Sequence, residues 1–132
     1  MEPRFLTVEE VLGLHAIAIA RYGGTLGVRD KGLLESAVAM AQQSAGGEYL
    51  HSFPFGMAAA YAFHLGKNHP FVDGNKRVAL LAAIVFLHTH GLELSNAGDT
   101  GSADVILDVI EDRLDKDGLA EWLEQHSRPR GG

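Results

Sequence analysis

Nine consecutive residues, His69-Pro70-Phe71-Val72-Asp73-Gly74-Asn75-Lys76-Arg77, hold a base, a hard carboxylate, a turn and two cations. Pro70 and Gly74 bracket the turn, and the apolar run behind it reads as a helix starting near Asn75. The first N–H groups of a helix lack intrahelical partners, so the backbone from Gly74 through Asn75 to Arg77 is expected to attract an anion. Gly74 lets a phosphate come close to the backbone. Lys76 and Arg77 add positive charge at the same spot, and Lys67 is expected to join them as a phosphate contact. His69 can accept a proton from an attacking hydroxyl if its ring faces the phosphate. Asp73 offers the carboxylate oxygen that holds Mg²⁺ against phosphate oxygens. These parts match phosphoryl or nucleotidyl transfer, in which catalysis is mostly positioning and charge neutralisation.

Taken one at a time, each residue has a duller role: a structural histidine before a proline, a common Asp-Gly-Asn turn, a helix cap at Asn75, solvated cations on a first turn. Their order, at the head of an apolar helix, is what points to chemistry.

That helix is expected over residues 75–89, where ten apolar residues from Val78 to Leu87 leave no polar face. A helix apolar all round is a buried one, so it is placed at the centre of a bundle. The other elements surround it. Thr7-Val8-Glu9-Glu10 fits a capping box followed by apolar positions at helical spacing, ended by Tyr22-Gly23-Gly24. Asp30 caps a second helix bearing Leu33, Leu34, Ala37, Val38 and Ala41. A third spans about 54–67 and stops because Pro70 disfavours helical geometry at His69. Two more, about 102–114 and 117–125, complete an all-α reading with Trp122 as a core anchor. Gly46-Gly47 with Glu48-Tyr49 is read as a flexible edge over the site or a plain connection.

The 132 residues, 46% hydrophobic and without cysteine, leave room for one domain and exclude a disulfide framework or thiolate site. The domain is expected over 1–126, with 127–132 as a flexible C-terminal tail. No basic stretch precedes an apolar core at the N-terminus, so cytoplasm is the expected location, with no membrane partner. A net charge of −6 argues against nucleic acid as a partner. Between Gly91 and His126 ten acidic residues stand against two basic, whereas the rest carries nine basic against seven acidic. A local cationic pocket therefore fits on an acidic protein.

The nine-residue segment resembles the Fic motif, H-P-F-x-[D/E]-G-N-G-R-x-x-R, and matches better the variant of the death-on-curing (Doc) branch, which ends N-K-R. Phe5-Leu6-Thr7, Tyr22-Gly23-Gly24, Gly27-Val28-Arg29-Asp30, Leu33-Leu34-Glu35-Ser36-Ala37 and Lys67-Asn68 look like this branch too. The resemblance implies a single-domain Fic/Doc-like helical bundle around a buried central helix. It implies His69 as the base, Asp73 as metal and phosphate partner, Gly74 and Asn75 in the anion hole, Arg77 as phosphate ligand and Phe71 as the structural anchor of the loop. Lys76 replaces the glycine that seats the nucleotide in Fic adenylyltransferases and is placed with His69 and Asp73 as catalytic. Leu80 stands where their second arginine would be. In the Doc branch this change goes with kinase activity: ATP or another nucleoside triphosphate with Mg²⁺ phosphorylates a threonine of translation elongation factor Tu, blocking translation. The same likeness implies a toxin–antitoxin module whose antitoxin folds a flexible segment into a groove beside the site.

Two rivals remain: nucleotidyl transfer (AMPylation) by the same base and metal, and a catalytically idle binding module. A histidine-rich metal site is disfavoured, because His88 and His90 point apart on a helix and His64 and His69 straddle a break.

Overall fold

A computed structural model describes residues 2–95 and 100–131. Six helices carry the fold among these: α1 (Val8–Tyr22), α2 (Lys31–Met40), α3 (Phe55–Asn68), α4 (Asn75–Thr89), α5 (Thr100–Ile110) and α6 (Lys116–Gln125). Two short antiparallel ribbons accompany them, β1 (Ser44–Ala45) with β2 (Glu48–Tyr49) and β3 (Leu92–Leu94) with β4 (Ser127–Pro129). No helix among the described residues is long and apolar enough to cross a membrane.

Three of the helices, α1, α2 and α6, begin where a side chain satisfies an orphan N–H group. Thr7 Oγ1 accepts from Glu10 N at 3.1 Å while Glu10 Oε1 accepts from Thr7 N at 3.0 Å, a reciprocal capping box. Asp30 accepts from Leu33 N at 2.9 Å, and Asp115 from Gly118 N at 2.7 Å. The Asp115 cap starts α6 one residue before the expected 117. Asp112, at φ 63°, turns the chain out of α5, which therefore ends at Ile110 and not near 114.

Where the core lies differs from expectation. The most enclosed helix is α3, packed against α2, α4, α5 and α6. Its alanines at 58, 59, 60 and 62 and Gly66 are all buried, and these small residues let neighbouring backbones approach. Tyr61, wholly buried, accepts from Leu6 N at 2.8 Å, and burial pushes its phenol up to about 12. By contrast α4 buries Val78, Ala79, Ala82, Ala83, Phe86 and Leu87 but leaves Leu80, Leu81, Ile84 and Val85 half-buried along one flank. An apolar run thus marks a helix with a second apolar face, not the innermost one. Trp122 is likewise half-buried, stacked on His126, while Leu119 and Leu123 fill the core.

Two further expectations are corrected. Residues 127–129 are not a free tail: Leu92, Glu93 and Leu94 pair with Pro129, Arg128 and Ser127, and Arg128 bonds Glu93 at 2.8 Å. The turn at Gly91 leaves β3 an open edge that needs backbone partners. The β1–β2 hairpin does not edge the nine-residue loop either. Tyr49 packs on Phe5 and Phe5 on Phe86, at centroid distances of 5.5 and 6.2 Å. At 1.5 Å per residue, Phe86 lies about 16 Å along α4 from Asn75.

Candidate active site

The loop between α3 and α4 opens on a hollow of about 340 Å³ lined by His69, Val72, Asp73, Gly74, Asn75, Lys76 and Arg77. His69 stands at the end of α3 with φ 48° and ψ 55°, a left-handed conformation that costs a residue with a Cβ on the order of 1–3 kcal/mol. Its side chain is exposed at the hollow and not turned into the core. Gly74 opens α4, also left-handed at φ 78°, where a Cβ would stand 3.1 Å from Ile19 Cδ1. No side chain caps this end of α4, so its first N–H groups face the hollow beside the exposed Lys76 and Arg77.

The loop is held from three sides. Inside, Asn75 is 8% exposed; its Oδ1 accepts from Phe71 N at 3.0 Å and its Nδ2 donates to Phe71 O at 2.9 Å. The same Nδ2 lies 3.4 Å from His69 Nδ1, one long contact to the exposed imidazole. The Asn75 amide therefore closes the loop on itself and is not offered to a phosphate; only its backbone faces the anion site. Beneath, the buried His15 of α1 stacks on Phe71 at 3.8 Å and reaches Asp73 O at 2.7 Å. A carbonyl only accepts, so His15 Nε2 carries the proton.

On the outer side, residues 25–30 run along the loop. Val72 N donates to Gly27 O at 3.0 Å, and the amides of Arg29 and Asp30 both donate to Pro70 O, at 2.7 and 3.1 Å. Arg29 Nε and Nη2 donate to His69 O and Asn68 O at 2.7 and 2.9 Å. Asp73 accepts from Gly74 N on Oδ1 at 2.9 Å and from Thr25 N on Oδ2 at 3.2 Å. Gly24 must be glycine for this: a Cβ there would sit 2.7 Å from Asp73 Oδ2.

Arg77 is stacked on the Tyr22 ring, 3.9 Å from its centroid, which fixes a long cation at the rim. Lys67, expected at the phosphate, is elsewhere. Its ammonium is bonded to Asp112 and to Ile110 O, tying α3 to the turn after α5. Its helical register turns it to α5, one face away from the loop.

Adjoining the hollow, a groove of about 380 Å³ runs between the end of α1, α4 and α5. Leu80, Leu81, Ile84, Ile106 and Leu107 form its walls, with Tyr22, Lys76 and Arg77 at one end and Asp104 among its lining. Leu80, where a second motif arginine would stand, belongs to this apolar wall.

Other histidines serve the fold. His90 accepts from Arg4 N at 2.9 Å and donates to Phe86 O at 2.7 Å, using both ring nitrogens. His64 accepts from Lys116 Nζ at 3.0 Å. Burial, then the Lys116 charge and His51, push His64 down to about 4. Burial also lowers Lys116 and His51.

His15 and Arg29 are the residues that sequence reasoning missed. A polar residue on the buried face of α1, with Val11, Ala18 and Ile19, was a usable signal for His15. For Arg29 only membership of the Gly27-Val28-Arg29-Asp30 stretch was visible, with no role attached.

A helical bundle whose α3–α4 loop carries this hollow defines the class of protein. The Fic/DOC family signature matches residues 5–87, and the chain belongs to that family, on its Doc branch. It is 39% identical over 120 residues to "Toxin Doc" of Mycolicibacterium smegmatis, covering 90% of each chain. It is also 29% identical over 122 residues to "Protein kinase doc" of Escherichia phage P1, covering 92% of this chain and 94% of that one.

Proposed function

We propose that this chain is a Doc-type toxin acting as a protein phosphotransferase, which moves the terminal phosphoryl group of ATP to a hydroxyl of a protein. The observation that carries this reading is the convergence of His69, Asp73, Lys76 and Arg77 on one hollow at the uncapped start of α4. The hydroxyl oxygen bonds to the terminal phosphorus as the bond to the leaving diphosphate oxygen breaks, and the hydroxyl proton passes to the His69 imidazole. The His69 ring is exposed at the hollow with one long side-chain contact, Nδ1 to Asn75 Nδ2, so a ring nitrogen can meet the hydroxyl. Lys76, Arg77 and the α4 amides take up phosphate charge. Asp73 keeps outward lone pairs on an exposed carboxylate beside these donors, which fits a one-carboxylate Mg²⁺ site. When bound, Mg²⁺ would supply charge neutralisation at the phosphates.

Lys76 in place of a glycine favours the kinase over AMPylation, because its side chain stands in the hollow where a closer backbone approach would be needed. The substrate in this reading is a threonine of elongation factor Tu, in the cytoplasm. The apolar groove beside the site suits the helical segment of an antitoxin, its apolar stripe against Leu80, Ile84 and Ile106 and its acidic groups toward Lys76 and Arg77.

Purified protein incubated with γ-labelled ATP, Mg²⁺ and a translation extract should label one protein band. His69→Ala and Asp73→Ala should abolish that label, and intact-mass measurement should show addition of one phosphate. A band persisting in both variants, or addition of AMP, would overturn the reading.

A further inference from the structure

We infer that Arg29, on the α1–α2 connection, is a positioning residue for transfer: its guanidinium holds the strained His69 backbone in the conformation that presents the imidazole to the hollow. This inference rests on His69 being the base.

A residue with a Cβ in the left-handed region must be held there by its surroundings. At His69 three successive carbonyls, of Asn68, His69 and Pro70, are each bound, and all by Arg29 or its neighbour Asp30. The two side-chain donors of Arg29 form a planar fork on the Asn68 and His69 carbonyls, at 2.9 and 2.7 Å. These are terminal carbonyls of α3, where the helix presents partial negative charge and a cation is favoured. The Arg29 amide fixes the next carbonyl, Pro70 O, at 2.7 Å. The fork of one residue thus holds both peptide planes that flank His69, and its amide holds the next one. Nothing else in the loop does this: Asn75 grips Phe71, and His15 grips Asp73.

The fork is specific to a guanidinium. A lysine keeps the charge but cannot give two parallel donors in fixed geometry. Arg29 is exposed, so its loss removes no core packing and the variants should fold.

In the labelled-ATP assay, Arg29→Ala should lower kcat about 10- to 100-fold while KM for ATP moves less than about 3-fold, the signature of a misplaced group and not of a lost nucleotide contact. Arg29→Lys should fall between wild type and Arg29→Ala. Millimolar guanidinium added to Arg29→Ala should restore part of kcat, which a general loss of stability would not allow. Independently of activity, amide hydrogen exchange at His69, Phe71 and Val72 should quicken in Arg29→Ala while exchange in α3 and α4 cores is unchanged.

Wild-type kcat in Arg29→Ala would overturn the inference. So would a loss that guanidinium does not relieve and that comes with faster exchange throughout. Should wild type itself transfer no phosphate, the phosphotransferase reading fails, and unaltered exchange at His69, Phe71 and Val72 in Arg29→Ala would then sink the positioning claim by itself.

Discussion

Two histidines five positions apart on one stretch of chain, His64 within α3 and His69 at its end, meet opposite environments. His64 is half-buried against α6, its Nε2 occupied by Lys116, and burial with that cation holds it neutral down to about pH 4. His69 stands exposed at a hollow, on a left-handed backbone, with one long side-chain contact. The first region spends its polar groups on each other. The second binds its backbone at every turn and leaves the His69 and Lys76 side chains exposed at the hollow. Proton chemistry belongs where the backbone is over-determined and the ring is not.

Breaking the second region should cost most. His69→Ala is expected to lower transfer about 10²–10⁴-fold, the usual worth of a general base, with an unfolding midpoint near wild type because the ring is exposed. Parallel activity and urea-unfolding measurements check both halves. An active His69→Ala would erase the contrast.

Asn75→Ala sharpens it by separating loop from base. It leaves Phe71 N and O unpaired in a buried setting, a loss of about 1–3 kcal/mol in stability, together with reduced transfer because the loop that carries His69 is no longer closed. A variant as stable as wild type would mean that the loop does not depend on this amide.

The first region is tested by pH. His64 titrates near 6.5 when unfolded and about 4 when folded, so between these values the unfolded chain binds more protons. Stability is then complete above about pH 6.5, falls as pH drops toward 4 and levels off below. Allowing for partial exposure, the loss should be on the order of 1–2 kcal/mol. His64→Gln should flatten that slope in urea midpoints measured from pH 7 to 4. An unchanged slope would place the acid sensitivity elsewhere.

Smallest of all should be Lys67→Met. Its ion pair with Asp112 is partly exposed, so stability should change by less than about 1 kcal/mol. KM for ATP should stay within about 2-fold, since no phosphate contact is removed. A large rise in KM would restore Lys67 to the site.

Caps and apolar spacing made the helices legible, because Thr7, Glu10, Asp30 and Pro70 act on their own neighbours. The nine-residue segment was legible for the same reason. What escaped was relational. Lys67 and Lys76 look alike on paper, yet one is neutralised by Asp112, a partner 45 positions away. Ser127 to Pro129 looked idle because their partner strand lies at Leu92 to Leu94. Which helix is innermost depends on how small residues such as Ala58 and Gly66 are used, and an apolar count for α4 could not rank them. His15 and Arg29 act through carbonyls of a loop 58 and 40 positions on.

Those long separations bear on the order in which a ribosome delivers the chain. The splint, residues 15–30, emerges well before the loop it must grip, and the helix that presents the amides emerges after it. A truncated product ending before residue 75 would carry His69 with no α4 amides, no Asn75 closure and no Lys76 or Arg77. The hollow therefore exists only once residues 15–30, the loop and the start of α4 have all been made and have met.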